Sequence, residues 1–458
     1  MIGSTEENPK ILLTTVADQS EYSNHSITPM NLPHGMRNQT YGQRPKVSQG
    51  SIRRISSSSR AKRDPEPSSS AFSKARIRST YSDIFTNAIS RFLLPIHVLP
   101  RADTSNQFTI CARVRPFFEE ETLRNDIYDC VSTTNETVTV HVGNLHLNKL
   151  EMKHITFHFD NIFGKHSSNQ DVYNVVQKAI MQSIPQRDRL PVDSTVFLYG
   201  KTGTGKSYTI NGITQLFAHD VFTFIENSHC DIRLGISAIE IVAGTKGFIV
   251  SKDNVCDLYN NGALVYFRDD AEGTVHLRGA KEHPCNNSTQ MDAYIKAAKN
   301  IRRTQATARN SESSRSHLIY FIRIRKAADQ LEDGEILSTI TFVDLAGNEG
   351  KQDSLNYQGN SDHIKDSTSI NRSLSSLQDC IRAASTGSKI IPFRGTTLTR
   401  LLKGCFYSKE SKTVFIGTIS GLPMDIEQSI STLKYTGLIK WPTEDFTIEQ
   451  TVKLNGIL

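Results

Sequence analysis

The sequence predicts a single α/β domain built on a central sheet and preceded by a disordered basic arm. Three observations predict it. Short apolar runs of β type alternate with helical stretches from Asn106 to about residue 442. One of these runs leads directly into a glycine-rich turn at 200–207. Residues 1–104 carry a net charge of +6, which equals the net charge of the whole chain.

The arm is predicted to span residues 1–80. Within 43–78, ten basic and two acidic residues are interleaved with ten serines. Such a segment cannot bury enough apolar surface to offset the entropy of ordering it. Two interpretations stay open: a basic arm for an acidic polymer or surface, or a solubilising tail.

A short helical neck is predicted next, at 81–105, followed by the domain at 106–442 and a tail at 443–458. The neck stripe consists of Ile84, Phe85, Ala88, Ile89, Phe92 and Leu93, at helical spacing. Apolar and β-branched runs predict strands at 108–114, 138–142, 194–200, 233–242, 316–326, 338–347 and 413–420. Helical patterns occupy 171–184, the stretch after 206, 289–302, 366–385, 394–406 and 425–440.

Composition excludes several classes of protein. No apolar run approaches the roughly 18 residues needed to cross a bilayer, and the N-terminus lacks the order of a secretory signal. The seven cysteines are scattered without a C-x-x-C pair, which argues against zinc and disulfides and for a reducing cytosol. No sustained heptads are present, and the tail is too short for a coiled coil, so we expect a monomer or a weak associate.

The turn at 200–207 has the spacing of a nucleotide phosphate loop, G-x-x-x-x-G-K-[ST], through Gly200, Gly205, Lys206 and Ser207. A buried-type strand precedes it and a helix follows. The backbone N–H groups of 202–207 are expected to converge on the β-phosphate at a helix N-terminus. Lys206 is expected to bridge the β- and γ-phosphates and the Ser207 hydroxyl to bind Mg²⁺. These residues predict a site for ATP and Mg²⁺.

Two downstream segments, "NSESSRSH" (310–317) and "DLAGNE" (344–349), resemble the two switch motifs of the kinesin motor domain. Further matches follow in the family's order: "RVRP" (113–116), "SINRSLSSLQDCIRA" (369–383), "IPFRGTTLTRLL" (391–402) and "STLKYTGLIK" (431–440). The resemblance covers about 106–442. It implies a P-loop NTPase motor fold with a central, mostly parallel mixed sheet, and a microtubule-stimulated ATPase as its activity.

The branch most resembled is the internal-motor, microtubule-depolymerising kinesins of family thirteen. The features that resemble it are "DLAGNE", "AHDVF" (218–222), "DCIRA" (379–383) and the stretch 255–280, together with a basic arm and short neck before the motor. The resemblance implies microtubules or tubulin as partner, with no membrane and no direct nucleic acid. It also implies a location in the cytoplasm on the microtubule cytoskeleton, including the spindle.

Carried over by position, the resemblance implies roles for individual residues. Tyr208 would stack on the adenine, with Arg113, Arg115 and Pro116 beside it. The nucleotide-binding set comprises these four with Gly200, Lys201, Thr202, Gly203, Thr204, Gly205, Lys206, Ser207, Asn310, Ser314 and Asp344. Ser207, Ser314 and, through water, Asp344 would hold Mg²⁺. Lys206, Ser313, Gly347 and the pair Arg315–Glu349 would act in catalysis, although Arg315–Glu349 could instead be an ordinary surface ion pair.

The sequence departs from the branch at four places. The expected Lys-Val-Asp tip of the second loop reads His146-Leu147-Asn148, and a Lys-Glu-Cys triplet reads Gln378-Asp379-Cys380. The loop after the phosphate-loop helix is nearly deleted. Residues 243–251 are an excess of about nine residues, either a true insertion expected to loop out at a hairpin or a piece of unremoved intervening sequence in the gene.

The predicted microtubule-binding face also has fewer charged residues than the family pattern, because "GTTLTR" replaces a form that carries Asp and Lys. Arg394 and Arg400 are the foremost candidate contacts, with Lys365, Arg372, Lys403 and Lys409 as further candidates or as solvated side chains. Three functions remain open: a depolymerising motor, a microtubule-binding ATPase that has lost depolymerase activity, and a microtubule-binding protein whose nucleotide is static.

Overall fold

The computed structural model describes residues 69–93, 107–146, 149–186, 189–228, 231–246, 249–269, 275–308, 315–328, 330–331, 334–348, 361–441 and 447–457. The fold is that of these residues. None of the described helices has the length and apolar character needed to cross a membrane.

The strands of the described chain are β1 (Phe108–Val114), β2 (Val131–Thr133), β3 (Thr137–His146), β4 (Lys149–His158), β5 (Asn161–Phe163), β6 (Ser194–Tyr199), β7 (Ile232–Lys246), β8 (Ile249–Asp257), β9 (Ala263–Leu264), β10 (Tyr266–Asp269), β11 (Val275–Arg278), β12 (His283–Cys285), β13 (Ser316–Lys326), β14 (Ile336–Asp344), β15 (Lys412–Ile419) and β16 (Thr447–Ile457). The helices are α1 (Ser69–Thr80), α2 (Ser82–Ser90), α3 (Glu119–Thr122), α4 (Asn169–Ile180), α5 (Lys206–Ser228), α6 (Ser288–Ala308), α7 (Ser361–Ser385), α8 (Thr397–Leu401), α9 (Lys403–Tyr407) and α10 (Ile426–Gly437).

A central sheet runs in the order β5-β1-β15-β6-β14-β13-β7-β8-β9, with β12 paired to β7. The pairings from β5 to β14 are parallel, and those beyond β14 are antiparallel. Every residue of β6 is buried, as expected for a strand covered on both faces. One hydrophobic cluster lies between the sheet and α4, α5 and α6, and a second packs against α7 to α10. The predicted mixed α/β sheet flanked by helices is confirmed.

Most predicted elements are present. Helix α5 runs unbroken over 23 residues, in agreement with the predicted near-deletion of the loop after the phosphate-loop helix. The single helix predicted at 394–406 is two short helices, α8 and α9, that meet at Leu402.

The neck begins earlier than the sequence predicts. Helix α1 starts at Ser69, inside the segment assigned to the disordered arm, and α2 follows after Tyr81. Of the predicted stripe, Phe85 is fully buried, whereas Leu93 is 88% exposed. An isolated helix as short as α1 is marginal in water, so the contacts that α1 makes with the domain are what stabilise it.

The predicted tail contains a strand. β16 pairs antiparallel with β4 and completes a four-stranded sheet in the order β16-β4-β3-β2, which we call the β-lobe. Lys153 and Glu449 form an ion pair across this pairing at 2.6 Å. Residues 447–457 are thus joined to the domain by a backbone ladder.

The nine extra residues extend a hairpin. β7 and β8 pair in register from Ile239↔Asp257 to Val242↔Asn254, and a bulge separates this part from an outer part, Gly244↔Ser251 to Lys246↔Ile249. Instead of looping out, the insertion continues the two strands beyond the bulge.

We expect deletion of 243–251 to leave folding and ATPase activity intact or improved, because the inner register does not depend on the outer part. Thermal unfolding and ATPase assays of the deletion variant test this. An aggregating variant beside a soluble full chain would show that the outer hairpin is an integral part of the sheet.

Candidate functional site

The phosphate loop joins β6 to α5 and needs its glycines. Gly200, Gly203 and Gly205 have φ of 153°, 82° and 97°, in the region that disfavours side chains. Gly200 also lies so close to the Thr418 carbonyl oxygen that an added Cβ would approach it to 2.2 Å. The Thr204 hydroxyl hydrogen-bonds the Thr418 hydroxyl at 2.8 Å. The loop therefore rests on the end of β15.

Lys206 lies inside this loop rather than on the surface. The side chain is 7% exposed, and its ammonium donates to the carbonyl oxygens of Gly200 at 2.8 Å and Lys201 at 3.1 Å. These bonds hold a positive charge inside the loop, at the N-terminus of the long helix α5. A cation and a helix N-terminus both favour a phosphate group.

The side chains predicted to hold Mg²⁺ meet across two elements. The Ser207 hydroxyl donates to Asp344 Oδ2 at 2.8 Å, and Asp344 is 2% exposed at the end of β14. Its other oxygen, Oδ1, is buried and has no hydrogen-bond partner. Hydroxyl and carboxylate oxygens are the ligands that Mg²⁺ prefers, and an unsatisfied buried oxygen is what a metal-bound water would satisfy. The residues present fit the ion.

Arg302 of α6, which the sequence did not single out, completes a buried charge network. Its guanidinium donates to Asp344 Oδ2 at 3.3 Å and to the Ser316 carbonyl at 2.7 Å, and it lies 3.5 Å from Glu240 Oε1. Ser316 Oγ in turn donates to Glu240 at 2.6 Å. One cation thus stands between two buried carboxylates and bonds the same Asp344 oxygen as Ser207.

His317, in the first switch motif, links the second switch motif to α7. Its Nδ1 accepts a hydrogen bond from the Ala346 N–H at 3.1 Å, and Nε2 lies 2.8 Å from Ser373 Oγ. Because Nδ1 accepts, the proton of the neutral ring is on Nε2. Burial, then the charge of Arg302, lowers the pKa of His317 from 6.5 to about 3.

We expect His317 to make folding sensitive to acid. Between about pH 6.5 and about pH 3 the unfolded chain binds a proton at this ring and the folded chain does not, so stability is lost as the pH falls. The slope is about 1.4 kcal/mol per pH unit. Denaturant unfolding near pH 7 and near pH 5.5 should show a smaller loss in His317→Asn than in the unchanged chain. Equal losses in the two proteins would contradict the assignment.

On the side predicted to hold the adenine, the Arg113 guanidinium is bonded within the protein. Arg113 is 6% exposed and donates to Asn169 at 2.6 Å and to Thr209 at 2.8 Å, so its guanidinium is a structural anchor. It still lies 5.5 Å from the ring centre of Tyr208, which is 66% exposed. An exposed aromatic ring backed by a cation is a surface on which a purine can stack.

Arg115 and Pro116 lie on the same side of the loop. Arg115 forms a two-pronged ion pair with Glu121 at 2.6 and 2.7 Å, and its guanidinium lies 4.3 Å from the ring centre of Phe118. A Cβ added at Gly205 would lie 4.0 Å from the Arg115 side chain, which places that side chain against the phosphate loop.

Several predicted switch residues fall outside the described part of the chain, namely Asn310, Ser313, Ser314 and Glu349. Arg315, Gly347 and Asn348 are described. Gly347 is buried, and the Asn348 amide donates to the Tyr199 and Thr432 hydroxyls, both at 3.1 Å. The asparagine that distinguishes the second switch motif therefore joins β6 to α10. The Arg315–Glu349 pair stays a prediction.

A nucleotide phosphate loop, a strand-end aspartate facing it and the described parts of the two switch motifs, 315–317 and 344–348, lie in one site. Residues 113–440 match the kinesin motor domain family. The chain belongs to the kinesin motor family. A solved structure described as a fast kinesin superposes on 74% of this kinesin and 93% of its own chain, with a TM-score of 0.58 and 25% identity.

Curated relatives agree. This kinesin is 31% identical over 357 residues to diatom spindle kinesin-1 of Cylindrotheca fusiformis, covering 78% of this chain and 53% of the relative. It is 31% identical to the kinesin-like protein KIF24 of Mus musculus, over 72% of this chain and 24% of that protein. It is 29% identical to KIN-13B of Arabidopsis thaliana, over 74% of this chain and 48% of that protein. The chain thus spans about half or less of the length of these relatives.

The basic residues predicted to face the microtubule are held against aromatic rings. Arg400 lies 4.4 Å from the ring centre of Phe267 on β10. Arg394 lies 5.4 Å and Lys403 5.0 Å from the ring centre of Phe393. Such cation–π contacts orient the cations.

The remaining candidates of this face divide into two groups. Arg372 and Lys409 are exposed, and the side chain of Lys365 lies outside the described part. Gln378, in place of the expected lysine, donates to the Tyr435 carbonyl oxygen at 3.2 Å and therefore faces α10.

Proposed function

We propose that this kinesin is a microtubule-stimulated ATPase that uses Mg²⁺. Two neighbouring observations carry the proposal: the Lys206 ammonium is buried inside the phosphate loop, and the Ser207 hydroxyl donates to the buried Asp344 at the end of β14. ATP and Mg²⁺, when bound, supply the phosphoanhydride bond and the charge that neutralises its oxygens. The family to which the chain belongs, in which such ATPases are the rule, supports the same reading.

In this proposal, different residues bind the phosphates, bind the metal and transfer the proton. Lys206 presents a fixed positive charge to the phosphates, and the phosphate-loop N–H groups converge on the same place. Ser207 and Asp344 offer oxygens for the metal and its water, with Asp344 fixed by Arg302. We propose that Gly347 reports the γ-phosphate and that Glu349 with Arg315 relays the proton of the attacking water, as the family resemblance implies.

Microtubules or tubulin are the proposed partner. Exposed or half-buried cations on α7, α8 and α9, together with Arg394, form a basic face, and the surface of tubulin is acidic. His317 connects α7 to the segment after Asp344, so contact with the partner can reach the nucleotide site through side chains that touch. We accordingly place this kinesin on the microtubule cytoskeleton.

For its mode of action we propose microtubule depolymerisation. The long β3–β4 hairpin of the β-lobe, the neck placed before the motor and the relative named KIN-13B support this finer proposal. The altered tip at 146–148 is the feature that argues for a motor without depolymerase activity. The two functions differ in whether stabilised microtubules are shortened in the presence of ATP.

We expect restoring the tip to raise depolymerisation. The change His146→Lys, Leu147→Val and Asn148→Asp returns the two formal charges, at the end of a hairpin paired up to His146↔Lys149. Release of tubulin from stabilised microtubules is measured by pelleting, with Lys206→Ala as the inactive control. A full chain that hydrolyses ATP but releases no tubulin with either tip would favour the second function. The absence of microtubule-stimulated hydrolysis would refute the proposal as a whole.

A further inference from the structure

The neck is joined to the domain by one buried cation. Arg78 of α1 is 2% exposed, and its guanidinium donates to both carboxylate oxygens of Glu427, at 2.7 and 2.9 Å. The carbonyl oxygens of Pro423 at 3.0 Å and Gly143 at 3.3 Å accept its remaining bonds. Burial alone raises the pKa of Glu427, but Arg78 outweighs it and the pKa lies below its usual value. Burying a guanidinium is costly unless its donors are bonded, and four of its five N–H donors have acceptors here.

A second contact seats the neck on the β-lobe. The ring of Phe85 is fully buried and lies against Gly143, where an added Cβ would approach the ring to 2.7 Å. Phe85 also packs on Tyr128, with ring centres 6.0 Å apart. The neck is therefore fixed by the apolar contact of Phe85 and by the hydrogen bonds of Arg78, and both reach Gly143 of β3.

The segment 423–427, which accepts hydrogen bonds from Arg78, also accepts one from the phosphate loop. Asp425, two residues before Glu427, accepts a hydrogen bond from Lys201 Nζ at 3.0 Å, and both side chains are largely buried. Lys201 is the second residue of the loop. The segment is itself tied together, since the Asp425 N–H donates to the Leu422 carbonyl oxygen and Ser429 Oγ donates to the Ser420 carbonyl oxygen.

Resting on the proposed nucleotide site, we infer that Arg78 is a positioning residue for the phosphate loop, acting through the segment 423–427 and the Lys201–Asp425 pair. Docking of the neck fixes Pro423 and Glu427. These in turn hold Asp425 where Lys201 reaches it, in the loop geometry that leaves Lys206 facing the phosphates. Such a coupling is reciprocal, so bound nucleotide favours neck docking by the same factor.

The first experiment measures binding of a fluorescent ADP analogue to the full chain. Arg78→Met keeps the length and apolar character of the side chain but removes the contacts to Glu427, and it should weaken binding by roughly five- to tenfold. Lys153→Met, which breaks an exposed ion pair of the β-lobe, is the matched control and should leave binding unchanged. If Arg78→Met binds the analogue within about twofold of the unchanged chain, the inference is overturned.

The second experiment tests the route and reciprocity. Lys74 and Arg76 are exposed on α1, so their cleavage by trypsin reports undocking of the neck. ADP should slow this cleavage several-fold in the unchanged chain but not in Asp425→Asn or Lys201→Gln. In a double-mutant cycle, Arg78→Met should cost less affinity once Asp425→Asn is present. Full additivity, or equal protection by ADP in all variants, would contradict the route.

The outcomes separate this inference from the proposed function. A chain that binds no ADP analogue at all refutes the nucleotide site. A chain that binds it, with an affinity independent of Arg78, leaves the ATPase standing and removes only the role of the neck. Thermal unfolding of each variant distinguishes undocking of the neck from loss of the whole fold, because a globally unfolded variant loses the analogue and the cooperative transition together.

Discussion

Lys206→Ala is expected to abolish ATP turnover. The ammonium of Lys206 is buried in the phosphate loop and bonded to two of its carbonyl oxygens, so the alanine variant loses a positive charge that the loop holds in place. Removing a preorganised charge of this kind costs on the order of 100- to 1000-fold in rate. Steady-state hydrolysis with and without microtubules measures the effect, and Lys178→Ala, an exposed cation on α4, is the control. Retention of more than about a tenth of the rate would contradict the assignment.

Glu349→Ala is expected to block the cleavage of ATP but not its binding. The family resemblance gives Glu349 the proton of the attacking water, so the variant should bind ATP and leave it uncleaved. A single-turnover experiment separates binding from cleavage, since Lys206→Ala should lose both and Glu349→Ala only the second. If Glu349→Ala cleaves ATP at the full microtubule-stimulated rate, the relay does not pass through this residue.

The phosphate loop and its strands could be predicted from sequence because their signals are local. The continuous apolar run of β6, three glycines with positive φ and the Lys-Ser pair all lie within 15 residues. The antiparallel partners β13 and β14 are long and apolar, and their predicted positions needed little correction. Such apolar runs can be recognised in the sequence because a strand that is buried on both faces needs apolar side chains on both.

The elements β16 and α1 could not be predicted from the sequence, for a physical reason. β16 shows its side chains to solvent at 449–453 and is held by backbone pairing with β4, some 300 residues earlier in the chain. Helix α1 lies in a basic, serine-rich stretch and depends on an ion pair with Glu427. Tertiary contacts decide both elements, and local composition indicates neither.

Arg302 is the clearest example of a residue whose role depends on tertiary contacts and cannot be predicted from local sequence. Nothing in "NIRR" marks it, yet it is 7% exposed and stands between Glu240 and Asp344, each 2% exposed. We expect Arg302→Met to lower the free energy of unfolding by about 3–5 kcal/mol, because it leaves two buried carboxylates without their cation. A loss of this size is a large part of the stability of an ordinary domain.

Denaturant unfolding measures the loss, and the neighbouring exposed residue supplies the control, since Arg303→Met should change stability by no more than about 0.5 kcal/mol. Adding Glu240→Gln to Arg302→Met removes one of the two carboxylate charges that Arg302 faced and should recover part of the stability. Retained nucleotide is a separate readout. Asp344 loses one of its two partners while Ser207 remains, so the Mg²⁺ concentration needed to retain a fluorescent ADP analogue should rise. If Arg302→Met is as stable as Arg303→Met, Glu240 and Asp344 do not depend on Arg302 for their charge, and the network is packing rather than electrostatics.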